Sequence, residues 1–326
     1  MNKFICLGVE STAHTFGIGI VNEKCEILAN QKSVFTSEKE GINPSLAKQH
    51  HIEKKEMVLE NALKEANLKL NEIDLISFSQ GPGLPPCLVV GLEFAKKLSK
   101  ENKIPLIGVN HCIAHIEIGK KVTGCKNPIT CYASGANTQI VGFENEFYRI
   151  YGETLDIGIG NALDMFARKM GIGFPGGPVI DKMYFEGKKL IELPYTVKGM
   201  DLTFSGLVTS ASKKIDFETK EDLSYSFMHT AFAMLLEVSE RALAHTQKKE
   251  LLITGGVAAS KALNTMAQIM CDERGAKLFV PKPGLATDNG AMIAWHGLQV
   301  YQKDIRQEKV DIFPMQRTDQ IKVEWL

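Results

Sequence analysis

Two stretches of this chain carry the same punctuation: a β-rich run, a turn of small polar residues, a second β-rich run, then strands alternating with helices. In the first, Phe4 to Val9 and Gly17 to Val21 flank Glu10-Ser11-Thr12-Ala13-His14-Thr15, and a third strand is expected over Glu26 to Ser33. Apolar spacing then predicts helices at Leu46 to Asn67 and Leu88 to Lys100, alternating with strands at Ile73 to Phe78 and Leu106 to Val109. In the second stretch, Pro128 to Ala133 and Gln139 to Phe143 flank Ser134-Gly135-Ala136-Asn137-Thr138. Helices at Gly160 to Met170 and Leu223 to Lys248 follow, then strands at Leu251 to Thr254 and Lys277 to Val280, with further helices opening at Ser260 and at Asp288-Asn289-Gly290. One unit used twice predicts a duplicated α/β fold with a cleft between the copies.

A length of 326 residues suits two lobes. The expected division is 1–128 with a C-terminal helix at 297–326 for the first lobe, and 129–296 for the second. Lys plus Arg and Asp plus Glu each number 38. No global field therefore attracts a polyanion, and nucleic-acid binding has to come from a local patch or a partner. The doublets Lys54-Lys55, Lys96-Lys97 and Lys120-Lys121 are candidates for such a patch, and equally are solvated helix faces. Seven cysteines without CxxC spacing fit a reducing compartment, with Cys6 and Cys131 packing as small hydrophobes in strand-like runs. The apolar run from Phe4 to Val9 is too short for a secretory leader, and nothing approaches the roughly 18 apolar residues of a membrane span. The expected location is the cytoplasm, away from any membrane.

His111 and His115 stand four apart on a predicted helix that Asn110 can cap. Their directions differ by only about 40° around the axis, one turn apart, so both rings can reach one cation. Neutral imidazole suits zinc or iron. Cys112 stands where a zincin has Glu, so HExxH is not met, and the same spacing also describes two ordinary helix-face histidines. An oxygen ligand must come from elsewhere. Asp288, in Leu285-Ala286-Thr287-Asp288-Asn289-Gly290, is best placed, with a helix N-cap as its alternative role.

The Ser134 to Thr138 turn can form an anion nest on its N–H groups or be a plain hairpin turn. Asp164, in GNALDMFARKMG, can bind ribose hydroxyls or pair with Arg168 one turn on. Phe174-Pro175-Gly176-Gly177-Pro178 reads as a rigid bend, and Thr254-Gly255-Gly256-Val257-Ala258 as strand, two glycines, helix. Bare backbone there suits a flat base, or a phosphate at the helix N-terminus.

The order of these pieces resembles one family: the threonylcarbamoyladenosine-forming tRNA transferases, formerly called O-sialoglycoprotein endopeptidases, whose archaeal and eukaryotic members are the catalytic subunit of the KEOPS complex. The resemblance runs from Gly8 to the final helix, and Gly8 to Val21, GVESTAHTFGIGIV, looks like the archaeal and eukaryotic branch. It implies the actin-like ATPase superfold, two RNase-H-like lobes around a nucleotide cleft. It implies transfer of threonylcarbamoyl from threonylcarbamoyl-adenylate to the adenosine following the anticodon of ANN-decoding tRNAs. A divalent metal, iron or zinc, would be held by His111, His115, Tyr132 and Asp288. An adenine nucleotide, ATP or the acyl-adenylate, would lie on Tyr132, Ala133, Ser134, Gly135, Ala136, Asp164, Gly177, Asp181, Gly255, Gly256 and Ser260. Glu10 is the expected orienting carboxylate at the reacting centre, or a hairpin-stabilising charge. Implied partners are tRNA, a small protein kinase (fused after this domain in some archaeal relatives) and a small dimerising subunit.

Three positions depart from the family pattern. Ala136 replaces the second glycine of SGGNT, Ser260 replaces the Asn of GGVAAN, and Asp181 stands where the archaeal branch often has Glu. Ala136 adds a methyl that can crowd a phosphate. Three other classes remain open on residues alone: a metalloprotease, which needs a general base that Cys112 does not supply; an actin-like nucleotide switch without catalysis; and a sugar kinase of the same superfold.

Overall fold

The computed structural model describes residues 4–37, 42–305 and 309–326. Its contacts divide the chain into two units. One holds the chain up to Thr36, Ile42–Val122 and Asp288–Leu326; the other holds Ser37 and Thr123–Thr287. The expected boundary at 296/297 falls inside a helix, whereas the contact units divide before that helix, at Thr287/Asp288.

In the first unit, β1 (Ile5–Glu10), β2 (Thr15–Asn22) and β3 (Ile27–Val34) form an antiparallel meander. Helix α1 (Pro44–Ala66), strand β4 (Leu75–Gly81), helix α2 (Pro85–Asn102), strand β5 (Leu106–Asn110) and helix α3 (His111–Thr123) follow. β4 and β5 add in parallel, giving the order β3-β2-β1-β4-β5. β1 and β2 are buried along their whole length, as strands covered on both faces must be. Asn43 caps α1 through its side chain on Ser45 and Leu46, so the helix begins two residues before the expected Leu46, because Pro44 suits the first helical position.

The second unit repeats the plan. β6 (Ile129–Ala133), β7 (Thr138–Glu144) and β8 (Phe147–Glu153) form its meander. Helices α4 (Ile159–Lys169) and α5 (Gly177–Tyr184), the short hairpin β9 (Val197–Lys198) and β10 (Asp201–Leu202), and helices α6 (Ser205–Ser212) and α7 (Lys220–Thr246) intervene. Then come β11 (Glu250–Thr254), α8 (Lys261–Arg274), β12 (Lys277–Phe279) and α9 (Pro283–Ala286). The sheet order β12-β11-β6-β7-β8 is that of the first unit, element for element. This is the duplicated RNase-H-like arrangement of the actin-like α/β superfold.

Helix α10 (Gly290–Gln302) belongs to the first unit and lies directly on its sheet. A Cβ at Gly19 would come within 2.0 Å of the Ala291 N, and one at Gly290 within 2.0 Å of the Gly19 N. Helix and strand touch backbone to backbone, which only glycine at both positions permits. That contact constrains where Asp288, two residues before α10, can lie.

Two local readings change. The bend at Phe174 to Pro178 contains a cis Phe174–Pro175 bond and also starts a helix, α5, at Gly177. After the Gly255-Gly256 pair the chain makes one 3-10 turn, Gly256–Ala259, before α8 begins behind Ser260.

Candidate metal centre and anion-binding turn

His111, His115, Asp288 and Glu10 all lie in the first unit, whereas Tyr132 lies in the second. Asn110 accepts from the Ile113 amide at 3.1 Å and so caps α3, fixing the first turn from which His111 and His115 project. The two rings meet edge to face with centroids 4.7 Å apart. Both Nε2 atoms face one Asp288 oxygen: His115 at 3.2 Å and His111 at 3.5 Å. Two imidazole nitrogens and a carboxylate oxygen thus lie within 4.8 Å of one another. Asp288 is not the N-cap of α10; Asn289 takes that role, accepting from Met292 at 3.0 Å, which leaves the Asp288 carboxylate to the histidines.

Behind His111 stands Glu10. Its Oε2 is 2.9 Å from His111 Nδ1, while its Oε1 accepts from the Thr12 amide at 2.7 Å and hydroxyl at 2.6 Å. A carboxylate on Nδ1 selects the tautomer with the proton there and leaves the Nε2 lone pair for a cation. This is the outer partner that metal-binding histidines ordinarily have. The donor chemistry fits a divalent ion, and neither zinc nor iron is favoured by N,N,O ligation.

The electrostatics agree. Burial lowers the His111 pKa, but the Glu10 and Asp288 charges and hydrogen bonds outweigh it and hold it well above the ordinary value. Burial raises that of Asp288, yet the bonds to both histidines hold it well below the usual carboxylate range. His115 is lowered, chiefly by burial. So much converging charge wants a counter-cation.

Strand β3 closes the same region. Lys32 donates from Nζ to the Asp288 carbonyl at 3.0 Å, and Asn30, two residues earlier and so on the same face, accepts from the Ala291 amide at 3.3 Å. Burial lowers the Lys32 pKa, opposed by the Asp288 and Glu10 charges. Neither Thr12 nor Lys32 stands out in the sequence, because their roles arise from sheet pairing.

The expected nucleotide residues all lie in the second unit, at and after the ends of the inner strands β6 and β11, on α4 and α5, and at the start of α8. In the turn after β6, Ser134 N donates to the Asn137 carbonyl and Asn137 N to the Ser134 hydroxyl, while α4 bonds to the Ser134 and Gly135 carbonyls. The Gly135 and Ala136 amides take part in none of these bonds, which leaves two adjacent N–H groups for an anion. Ala136 is exposed and is not among the residues with positive φ, so its methyl demands no strained backbone. Asp164 lies in mid-helix, its Oδ1 accepting from Gly176 and Gly177 at 2.8 and 3.1 Å. Asp181 accepts from the Ser260 hydroxyl at 2.6 Å and from the first amides of α8. Ser260 Oγ also caps α8 on Leu263. Gly255 has φ +95, and a Cβ there would meet the Ala133 carbonyl at 2.4 Å; Gly256 opens onto free space. Tyr132 and Ala133 are buried at the end of β6.

A family model described as TsaD, tRNA N6-adenosine threonylcarbamoyltransferase, matches residues 24–295. The chain is 52% identical to the tRNA N6-adenosine threonylcarbamoyltransferase of Thermococcus kodakarensis, over 98% of its own length and 99% of the relative's. The chain belongs to this enzyme family. It is also 48% identical to a Methanocaldococcus jannaschii protein named a probable bifunctional tRNA threonylcarbamoyladenosine biosynthesis protein, of which it spans 60%. Two solved structures share the fold at 13% identity. HypF of T. kodakarensis aligns with TM-score 0.67 over 96% of this chain and 49% of its own. Component A of the Acidaminococcus fermentans (R)-2-hydroxyglutaryl-CoA dehydratase aligns with TM-score 0.57 over 94% of this chain and all of its own. Both speak for the fold alone.

The lysine doublets have local partners. Lys97 pairs with Glu56, Lys120 with Glu117, and Lys55 and Lys121 lie over Phe94 and Trp295. Among the described residues, no helix is long and apolar enough to cross a membrane.

Proposed function

We propose that this member of the threonylcarbamoyltransferase family moves the threonylcarbamoyl group from threonylcarbamoyl-adenylate to the N6 amine of the adenosine following the anticodon in ANN-decoding tRNAs. It works in the cytoplasm as the catalytic member of a KEOPS-type assembly, with a small kinase and a small dimerising subunit as partners. The observation that carries the reading is the convergence of His111, His115 and Asp288 on one point with Glu10 behind them. It occurs in a chain that is half identical to proteins bearing that activity's name.

His111, His115 and Asp288 would hold a divalent iron or zinc ion, and Tyr132 is assigned as a fourth ligand on the family pattern alone. Such an ion supplies Lewis-acid charge that offsets the phosphate and polarises the acyl group. Glu10 has both oxygens engaged, so its role is to hold the His111 tautomer rather than to take a proton. The Gly135 and Ala136 amides receive the adenylate phosphate. Asp164 pins the Gly176-Gly177 segment, and Asp181 with Ser260 fixes the start of α8; these, with Gly255 and Gly256, frame the ribose and base. The N6–carbonyl bond forms as the bond from the acyl carbon to the phosphate oxygen breaks; AMP leaves and N6 sheds one proton. The aryl-type amine is a weak nucleophile, so alignment and charge stabilisation supply most of the rate.

The reading is tested with labelled threonine, bicarbonate, ATP and a tRNA transcript, with the adenylate-forming enzyme and partner subunits supplied. Label should enter the tRNA only when the adenosine after the anticodon is present. Metal-loaded, folded protein that transfers none would overturn the reading.

A further inference from the structure

We propose that Gln316, in the segment that follows α10, is a positioning residue for the metal centre: it sets the Asn110 amide and, through that cap, the first turn of α3. The inference rests on the metal centre assigned above but not on the identity of the acyl acceptor. Every residue it uses belongs to the first unit.

Strand β5 ends at Asn110 and α3 begins at His111, with no loop between them. The path of the first helical turn therefore depends on how Asn110 caps it. Asn110 is buried, its Oδ1 accepting from the Ile113 amide at 3.1 Å and its Nδ2 donating to Gln316 Oε1 at 3.3 Å. An amide turned end for end would set its NH2 against the Ile113 N–H and its oxygen against that of Gln316. The acceptor at 316 thus holds toward the helix the end of Asn110 that the helix needs. Gln316 Oε1 is itself fixed by a second donor, Gln80 Nε2 at 3.1 Å.

Backbone bonds seat the segment that carries Gln316. Phe313 N donates to the Gln80 carbonyl at 2.6 Å, and Gly83 N to the Pro314 carbonyl at 3.2 Å. Gly81 lies so close to the Phe313 carbonyl that a Cβ would not fit. The same loop also reaches the metal centre. Leu84 N donates to the Thr12 carbonyl at 2.8 Å, and Thr12 holds Glu10, the carboxylate on His111 Nδ1. Farther along, Trp325 packs edge to face on His296 of α10, the helix that Asp288 precedes by two residues. One segment so touches the supports of all three candidate ligands. A brace that gave stability alone would need only bulk at 316, not an acceptor oxygen.

The test measures zinc affinity of the intact chain by chelator competition and loads the same protein with cobalt(II), whose visible absorption reports ligand geometry. Gln316→Leu removes the acceptor. It should weaken zinc binding by about fivefold, roughly the worth of one net hydrogen bond, and alter the cobalt bands while melting close to wild type. Gln316→Glu keeps an acceptor for both amides and should restore affinity and spectrum. Asn110→Ser retains a cap but does not reach position 316, and should reproduce the leucine variant's cobalt bands. A leucine variant with wild-type affinity and bands would overturn the proposal, as would an Asn110→Ser protein with wild-type bands. So would a glutamate variant as impaired as the leucine one, which would make the segment a brace only. Wild type that binds neither ion would instead sink the metal centre itself.

Discussion

Glu10 and Thr12 illustrate how one residue's meaning depends on its partners. A carboxylate at the end of the first strand can orient substrate, charge a hairpin or act as a base. With one oxygen on Thr12 and the other on His111 Nδ1, it holds an imidazole. Glu10→Gln should therefore weaken metal binding by about tenfold or more while leaving the fold intact, which competitive chelator titration would measure. Unchanged affinity would remove Glu10 from the metal's surroundings. Two other histidines make a pH prediction. Burial pushes His51 and His296 down to about 4. In the unfolded chain each takes a proton near pH 6.5, whereas the folded form resists until about pH 4. Stability contributed by the neutral rings is thus full above about pH 6.5 and is lost as pH falls towards 4, by about 3 kcal/mol per histidine. Urea unfolding across that window should show the decline, and His296→Asn should flatten its slope. A slope equal to that of wild type would contradict the burial argument.

Among elements, α10 and α8 are positioned by different means. α10 is pressed onto β2 at Gly19 and Gly290, so Gly19→Ala should cost about 3 kcal/mol by overpacking and also weaken metal binding, since Asp288 leads directly into that helix. α8 starts from the bond between Ser260 and Asp181, and Ser260→Ala should cost about 1–2 kcal/mol in thermal unfolding. The sequence announces β1, β2, β6 and β7 through apolar runs around small polar turns, and the cap of α3 through Asn110. It announces the metal site less directly. HxxxH is readable because helical spacing is regular, but Asp288 lies 173 residues from His115 and only folding joins them. What stayed hidden follows from tertiary contact. In the bend Phe174 to Pro178 the two prolines and two glycines read as a turn, and the helix-start signal of Pro178 in the first turn of α5 is masked by them. Lys32 looks like any strand lysine until β3 is set against the start of α10.

At the scale of the molecule, one sheet order is used twice with different chemistry on each copy. The first unit gathers imidazole and carboxylate; the second presents bare amides, at Gly135 and Ala136, and glycines around β11. Because Ala136 has ordinary backbone geometry and is exposed, Ala136→Gly should change nucleotide affinity less than about threefold, a shift small against the tenfold that one good contact contributes. The account's central claim is that the His111–His115–Asp288 centre serves acyl transfer to tRNA. It is tested most directly by supplying threonylcarbamoyl-adenylate and tRNA to wild type and to His115→Ala with partner subunits present, following modified adenosine and metal content together. The account predicts that the variant melts like wild type, loses its metal and transfers at a rate lower by about a thousandfold, the loss of roughly 4 kcal/mol of transition-state stabilisation. Full transfer by a metal-free His115→Ala protein would contradict it.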